Sequence, residues 1–261
     1  MQKDSLLTVL AVIPARYASS RFPGKALAII SGKPMIQHVF ERARQAHDVS
    51  RTVVATDDDR ILSAVKEFGG DAVMTRPDHR SGTERVAEVA AQIEAEIYVN
   101  VQGDEPLIDP AAIDAAVAEL QSEGDSPAAD RPLVATLCSV IADPREIIDP
   151  NIVKVVFDFQ GDALYFSRAP IPWVRGEKTA VGSAHWKHQG LYAFRRDILL
   201  EFPTLPPGQL EKLEQLEQLR LLENGYKIRV VETEHDSLSV DVPADIVRIE
   251  QLLSTVGAED Q

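Results

Sequence analysis

Residues 8–25 read TVLAVIPARYASSRFPGK. Thr8–Ile13 is a short apolar run rich in β-branched residues, the pattern of a strand buried on both faces of a parallel sheet. The character changes at Pro14, after which Arg16, Arg21 and Lys25 appear with Ser19, Ser20 and Gly24 between them. Small residues let the backbone approach phosphate oxygens, and Arg and Lys neutralise their charge. A strand that opens into such a loop reads as the phosphate-binding edge of an α/β sheet. The plainer alternative is a solvated basic loop. The spacing fits neither a Walker A loop nor a Gly-x-Gly-x-x-Gly turn.

Working outward, strand and helix patterns alternate. Arg51–Thr56, Asp71–Met74 and Ile97–Val101 read as further strands. Between them, apolar residues recur at helical spacing: Ile36, Val39, Phe40 and Ala43 behind Pro34, then Ile61, Leu62, Val65 and Phe68 up to Gly69-Gly70. Val86, Val89, Ala90 and Ile93 follow a cap at Ser81 or Thr83, and Pro110–Leu120 is helical again. This alternation predicts an α/β fold with a mostly parallel central sheet and helices on both faces. Ligands of such sheets sit at the carboxyl ends of the strands, which singles out the loops after residues 13, 56, 74 and 101. The second half is less regular. Leu133–Val140, Ile152–Asp158, Ala163–Ser167 and Lys227–Glu232 read as strands, Leu210–Glu223 as one strong helix, and Pro243–Leu253 as a last helix. Pro170–Lys187 reads as an excursion from the sheet, carrying Trp173 and Trp186.

The chain has 261 residues, 44% of them hydrophobic, enough to bury a sizeable core. A single domain over 1–261 is expected, because no Pro/Ser/Gly-rich linker divides it. Ser122–Pro132 (SEGDSPAADRP) reads as a surface loop. The formal net charge of -14 argues against a nucleic-acid partner. It also means that a phosphate site needs a local cluster of cations, a metal ion, or both. The single cysteine, Cys138, allows no internal disulfide and suggests a reducing compartment, the cytoplasm. Leu6–Ile13 is too short to span a membrane and runs on without a cleavage site, so neither a membrane segment nor a signal peptide is expected.

Three carboxylates stand out. Asp104, in NVQGDEP, follows the fourth strand; it can hold Mg²⁺ against a triphosphate or cap the next helix. Asp241, in VDVPAD, precedes a Pro-started helix and has the same two readings. Glu217 falls on the apolar line of the Leu210–Glu223 helix with Leu210, Leu213 and Leu221, so it points inward. A hydroxylated ligand, a cation, an Arg or a backbone group would have to satisfy it. The spacing of His38, His47, His79, His185 and His235 matches no metal site.

Taken together, VIPARYASSRFPGKAL, TRPDHRSGTERVAEV, NVQGDEP, ALYFSRAPIP, HQGLYAF, LEQLRLLENG and VDVPAD, in that order, strongly resemble the 3-deoxy-manno-octulosonate (Kdo) cytidylyltransferases, the CMP-Kdo synthetases. The resemblance runs from about Val9 to Ala244. It implies a Rossmann-like nucleotidyltransferase fold, Mg²⁺ as cofactor, CTP and Kdo as substrates, CMP-Kdo and pyrophosphate as products, a role in lipopolysaccharide synthesis, and a homodimer. An excursion at about 158–190 would serve sugar binding and dimerisation. By position, Arg16, Ser19 and Lys25 would hold the triphosphate; Arg76, Ser81 and Gly82 would lie near the cytosine; Asp104 and Asp241 would bind Mg²⁺. Gln102, Arg168, His188, Tyr192, Glu217 and Gln218 would face the sugar acid. Two departures stand out. The family usually has Asp-Thr-Pro-Glu-Asp at 241–245, and Pro after the first-loop Lys, where this chain has Ala26. Competing readings are the same chemistry on 8-amino-Kdo or a sialic acid, a nucleotide-binding sensor that no longer turns over, and a fold in which Arg168 simply pairs with Glu217.

Overall fold

A computed structural model describes residues 8–18, 21–121, 131–175, 185–235 and 238–259, with side chains to 254. The first-half strands are β1 (Val9–Ala15), the two-residue β2 (Ile29–Ile30) and β3 (Lys33–Pro34), β4 (Arg51–Thr56), β5 (Ala72–Met74) and β6 (Ile97–Asn100). The second half adds β7 (Val134–Val140), β8 (Lys154–Phe157), β9 (Ala163–Ser167), β10 (Trp186–Arg195) and β11 (Arg229–Glu232). The helices are α1 (Met35–Ala43), α2 (Asp59–Glu67), α3 (Gly82–Gln92), α4 (Pro110–Gln121), α5 (Pro144–Ile148), α6 (Arg196–Glu201), α7 (Gln209–Glu214), α8 (Leu219–Glu223) and α9 (Pro243–Glu259).

One sheet runs in the order β11-β7-β10-β6-β1-β4-β5, with β8 beside β10 and β9 beyond β8. Its first-half strands β1, β4, β5 and β6 pair in parallel, as the alternation predicts, while β2 and β3 form a separate antiparallel pair. β10 runs antiparallel to both β6 and β7, and so joins the two halves of the chain. Successive β1 side chains feed opposite faces, as strand geometry requires. Val9, Ala11 and Ile13 enter the core beneath α1, α2 and α4, while Leu10 and Val12 enter the core beneath α3 and α6. That is why Thr8–Ile13 shows no polar alternation.

The excursion needs correcting. Trp186 and Lys187 begin β10, and Trp186 is half-buried with its ring 5.4 Å from that of Phe157. Trp173 alone of the two tryptophans is exposed. Residues 176–184, like 122–130 of the expected surface loop, lie outside the described residues.

The expected Leu210–Glu223 helix is two short helices, broken at Gln215, which adopts the left-handed conformation (φ 54). The break lets the Glu223 carboxylate fold back to accept the N–H groups of Leu210 (2.9 Å) and Glu211 (3.0 Å), capping α7 from the far end of α8. Leu210 and Leu213 are consequently exposed rather than core.

The β8–β9 hairpin is fastened by a fully buried lysine. Lys154 Nζ donates to the carbonyls of Asp149 (2.9 Å), Ile152 (2.5 Å) and Arg168 (2.7 Å). Replacing it with Met keeps the volume and strands three acceptors. Lys154→Met is expected to cost about 3 kcal/mol in urea unfolding; an unchanged midpoint and slope would show that the clasp contributes nothing.

Candidate active site

At the carboxyl ends of the parallel strands, the loops after β1, β5 and β6 enclose a cleft of about 310 Å³. Close backbone approach shapes its floor. A Cβ on Gly103 would lie 2.8 Å from the Pro14 carbonyl oxygen, so the two loops can meet only with glycine at that position. Gly24 (φ 73) turns the basic loop back on itself, and its N–H donates to the Tyr17 carbonyl at 2.9 Å. Tyr17 in turn lies beneath the Arg60 guanidinium, 3.2 Å from ring centroid to Cζ.

Five cationic side chains line the cleft, Arg16, Arg21, Lys25, Arg80 and Arg85, against the two carboxylates Asp104 and Asp241. The local cation cluster that the acidic chain needs is therefore present. Lys25 Nζ lies 2.5 Å from Asp104 Oδ2 and 3.8 Å from Asp241 Oδ1, and Arg21 pairs with Asp241 at 2.8 Å. Neither aspartate is a helix cap. Asp109 caps α4 through the Ala111 N–H (2.8 Å), and Asp245 accepts the N–H groups of Asp241 (2.7 Å) and Val242 (2.9 Å). The capping work is done by neighbours, which leaves both carboxylates to the cleft. A backbone bond from Val240 N–H to the Asp104 carbonyl (2.9 Å) holds their loops together.

α3 enters the cleft by its N-terminus. Ser81 is its cap, accepting from the Glu84 N–H at 3.3 Å, and Ser81 and Gly82 both line the cleft. Arg80 is gripped by Glu84, with Nη2 2.7 Å from Oε1. Arg85 is fixed by Asp57 (3.1 Å) and Thr75 (2.5 Å). His79 also lines the cleft and is hydrogen-bonded to Glu88. Arg76, expected near the base, instead points to the outside, 3.5 Å from Asp78 and 3.7 Å from Glu88, and does not line the cleft. Arg80 and Arg85 take the cationic positions on this wall. Their signal was their place on either side of the Ser81 cap. Ser19 lies outside the described residues.

The second half supplies a polar cluster beside the α3 wall. The α7–α8 break turns Glu217 inward, where Thr83 Oγ1 donates to its Oε1 at 2.7 Å. Oε2 is buried and, among the described residues, has no hydrogen-bond partner, and the same is true of Nε2 of the neighbouring Gln218. Burial pushes the Glu217 carboxyl above the usual carboxylate range, against the pull of the Ser81 and Thr83 hydroxyls and the Arg220 charge. Tyr192, the direct cross-strand partner of Asn100, shares this environment; burial, and then the Glu217 charge, raise its hydroxyl well above the usual value. Its hydroxyl meets His188 Nε2 at 2.9 Å, and Thr136 Oγ1 lies 3.0 Å from the same nitrogen. Gln102 lines the cleft and donates to the Gly190 carbonyl at 2.7 Å, at the point where β10 bulges.

Glu217 is thus inward, but by a turn and not by the helical line expected for it. Arg168 differs more. It does not pair with Glu217, nor does it line the cleft. Its guanidinium donates to the carbonyls of Glu214 (2.8 Å), Pro150 (2.9 Å) and Gln215 (3.4 Å), while its backbone N–H donates to the Glu214 carboxylate (2.9 Å). It braces the turn that carries Glu217 and Gln218.

The sequence profile of the family described as "Cytidylyltransferase" matches residues 10–228. A 3-deoxy-manno-octulosonate cytidylyltransferase of Solibacter usitatus (strain Ellin6076) is 58% identical over 244 residues, covering 94% of each chain. One of Geobacter sulfurreducens (strain ATCC 51573 / DSM 12127 / PCA) is 54% identical over 253 residues, 93% of this chain and 98% of the other. Among solved structures, CMP:2-keto-3-deoxy-manno-octonic acid synthetase complexed with CTP superposes with a TM-score of 0.87 at 46% identity, over 95% of this chain and 99% of that one. A 4-diphosphocytidyl-2C-methyl-D-erythritol synthase from Anaerococcus prevotii DSM 20548, at 12% identity and TM-score 0.60 over 95% and 96%, shares the nucleotidyltransferase fold alone.

His188 provides a pH signature. As a residue it keeps some exposure, but its ring is packed against Phe166 and Tyr192, and desolvation pushes its pKa down from 6.5 to about 3. The unfolded chain therefore binds this proton below pH 6.5 while the folded chain refuses it, so the contribution is complete above 6.5 and is lost as pH falls toward 3. Between pH 7 and pH 5, wild type is expected to lose up to about 2 kcal/mol more unfolding free energy than His188→Gln. Parallel pH profiles for the two proteins would contradict the buried neutral ring.

Proposed function

The chain belongs to the cytidylyltransferase family, and from that premise we propose that it activates 3-deoxy-manno-octulosonate with CTP, giving CMP-Kdo and pyrophosphate. The observation that carries this reading is the convergence of Asp104 and Asp241 on one Lys25 ammonium at the edge of a cation-lined cleft. The relative of known structure holds CTP. The cleft has the charge and the glycine-floored approach that a triphosphate needs, and the second-half cluster has the unspent polar atoms that a polyhydroxylated acid needs.

In this reading Arg16, Lys25 and Arg80 hold the triphosphate, with Arg21 released from Asp241 to join them. Ser81 and Gly82 border the base, with Arg76 set apart from it. The donor set fits Mg²⁺. Two carboxylates meet around a single cation position, and among the described residues no group of three or more His, Cys, Asp or Glu completes a site without the ligand. Phosphate oxygens and water would fill the remaining places, as Mg²⁺ prefers. The bound ion would neutralise charge and orient the α-phosphate. The protein's part is positioning and charge neutralisation, since a sugar hydroxyl attacks the α-phosphate directly and no protein nucleophile is required.

Gln102, Tyr192, His188, Glu217 and Gln218 serve the sugar acid. Arg168 contributes through the turn it braces. Such an enzyme would feed lipopolysaccharide synthesis from the cytoplasm, in keeping with the lack of a helix, among the described residues, long and apolar enough to cross a membrane. A homodimer is part of the same reading, with exposed Trp173 (86%) and Leu164 (64%) as apolar surface for it. Light scattering at micromolar concentration should return twice the 28.7 kDa chain mass, and a value near one chain would exclude the dimer.

Pyrophosphate release from CTP across a panel of sugar acids tests the function. Turnover should be greatest with Kdo and absent without an acid; release with every acid alike would refute the assignment. Asp104→Asn and Asp241→Asn should each lower turnover by more than about tenfold, a barrier change of about 1.4 kcal/mol. Normal turnover of both at limiting Mg²⁺ would remove the metal role.

A further inference from the structure

Thr83 sits in the first turn of α3, immediately after the two residues that line the nucleotide cleft, yet does not line it itself. Its hydroxyl is 2% exposed as a residue and has two partners. It lies 2.7 Å from Glu217 Oε1 and 3.3 Å from the side-chain amide of Asn100, a residue with no exposed surface. A hydroxyl has one proton to give. With Glu217 ionised, Oε1 can only accept, so Thr83 spends its proton there. Thr83 Oγ1 is then left as an acceptor, and Asn100 must turn its NH₂ toward it. Proton counting alone fixes the amide orientation, which the heavy atoms do not by themselves decide. The chain runs one way, Asn100 Nδ2 to Thr83 Oγ1 to Glu217 Oε1.

Its ends are the unusual part. Asn100 Oδ1 and Glu217 Oε2 are both buried and, among the described residues, without a hydrogen-bond partner. Such groups are costly to bury unless something satisfies them. The Ser81 hydroxyl also draws on the Glu217 carboxylate and eases its charge, yet Oε2 itself has no partner among the described residues. A Cβ on Gly82 would come 3.9 Å from Asn100 Oδ1 and 3.3 Å from the Pro14 ring, so the amide lies directly behind the cleft wall. Both free ends are acceptors, and acceptors suit a ligand that brings hydroxyl donors.

We propose that Thr83 is a positioning residue for the sugar half-site: its hydroxyl, ordered by Asn100, locks the Glu217 carboxylate so that Oε2 is presented to a hydroxyl of the sugar acid. The inference rests on the reading of Glu217 as a sugar-binding residue. It makes the first turn of α3 a two-sided wall, with Ser81 and Gly82 toward the nucleotide and Thr83 toward the sugar.

Steady-state kinetics on the full-length enzyme separates this from a packing role. Thr83→Val keeps the shape and removes the hydrogen bonds. It is expected to raise KM for Kdo about tenfold and leave KM for CTP within about twofold. Thr83→Ser should restore the wild-type KM to within about twofold. If Thr83 acts through Glu217, adding Thr83→Val to Glu217→Gln should change the Kdo KM by less than about twofold. Should Thr83→Val not fold, Thr83→Ala takes its place in every comparison. A normal Kdo KM in Thr83→Val beside a raised one in Glu217→Gln overturns the positioning role and leaves the reading of Glu217 standing. A normal Kdo KM in Glu217→Gln overturns both. Multiplying effects in the double variant, a CTP KM that rises in step, or failure of Thr83→Ser to rescue, shows that Thr83 merely supports the fold and overturns the proposal.

Discussion

The antiparallel pairing of β10 with β6 is the contact on which the site depends. The four parallel strands of the first half could carry a nucleotide cleft by themselves, because their carboxyl ends and loops supply all its cations. What they cannot supply is a second substrate beside it. β10 inserts next to β6 and sets Tyr192 directly opposite Asn100. It then bulges between Gln189 and Tyr192, where the Thr136 hydroxyl lies 2.8 Å from the Leu191 carbonyl and 3.2 Å from that of Gln189. The bulge frees the Gly190 carbonyl for Gln102, while the Tyr192 hydroxyl meets His188 beside it. A strand with perfect register would have spent that carbonyl in the ladder.

The α7–α8 turn completes the cluster from the other side, and its own position is set at a distance. Lys154 holds the Arg168 carbonyl, the Arg168 guanidinium holds the Glu214 and Gln215 carbonyls, and the Glu214 carboxylate takes the Ser167 hydroxyl at 2.6 Å. A chain of charged groups satisfied mostly by backbone thus connects the β8–β9 hairpin to the turn that carries Glu217. Charged side chains bonded in this way are costly to replace one at a time, because each removal strands its partners.

Much of this could be read in the residues beforehand, where the pattern was local. The strands of the first half, the caps at Ser81 and Gly69 and the basic loop all follow from periodicity, turn chemistry and charge within a few positions. What was not legible depends on partners far along the chain. Nothing near Leu210–Glu223 announces that the helix will break and Glu223 will cap Leu210, so the inward Glu217 was inferred from a geometry that does not exist. Arg168 read as a sugar-facing cation or a partner for Glu217 because the carbonyls it binds carry no sequence signal. Arg76 and Arg80 differ by four residues in one motif, and only the fold decides that Arg80 faces the cleft while Arg76 turns to Glu88. Asp104 and Asp241 were ambiguous for the opposite reason, since the real caps, Asp109 and Asp245, stand five and four positions further on.

The self-pairing of the cleft has a kinetic consequence. Pairing of Lys25 and Arg21 with Asp104 and Asp241 offsets part of the cleft's positive lining, and the surrounding chain carries a formal charge of -14. A polyanion then meets repulsion over the last Debye length, about 8 Å at physiological ionic strength, before it reaches any uncompensated cation. Electrostatic steering, which ordinarily makes association of a charged ligand faster in dilute salt, would here act in reverse. Encounter should quicken as salt screens the envelope, even while the same salt weakens the contacts made after entry. Nucleotide capture by this fold is therefore governed by screening at the rim and by ion exchange at the floor, two steps that respond to ionic strength with opposite sign.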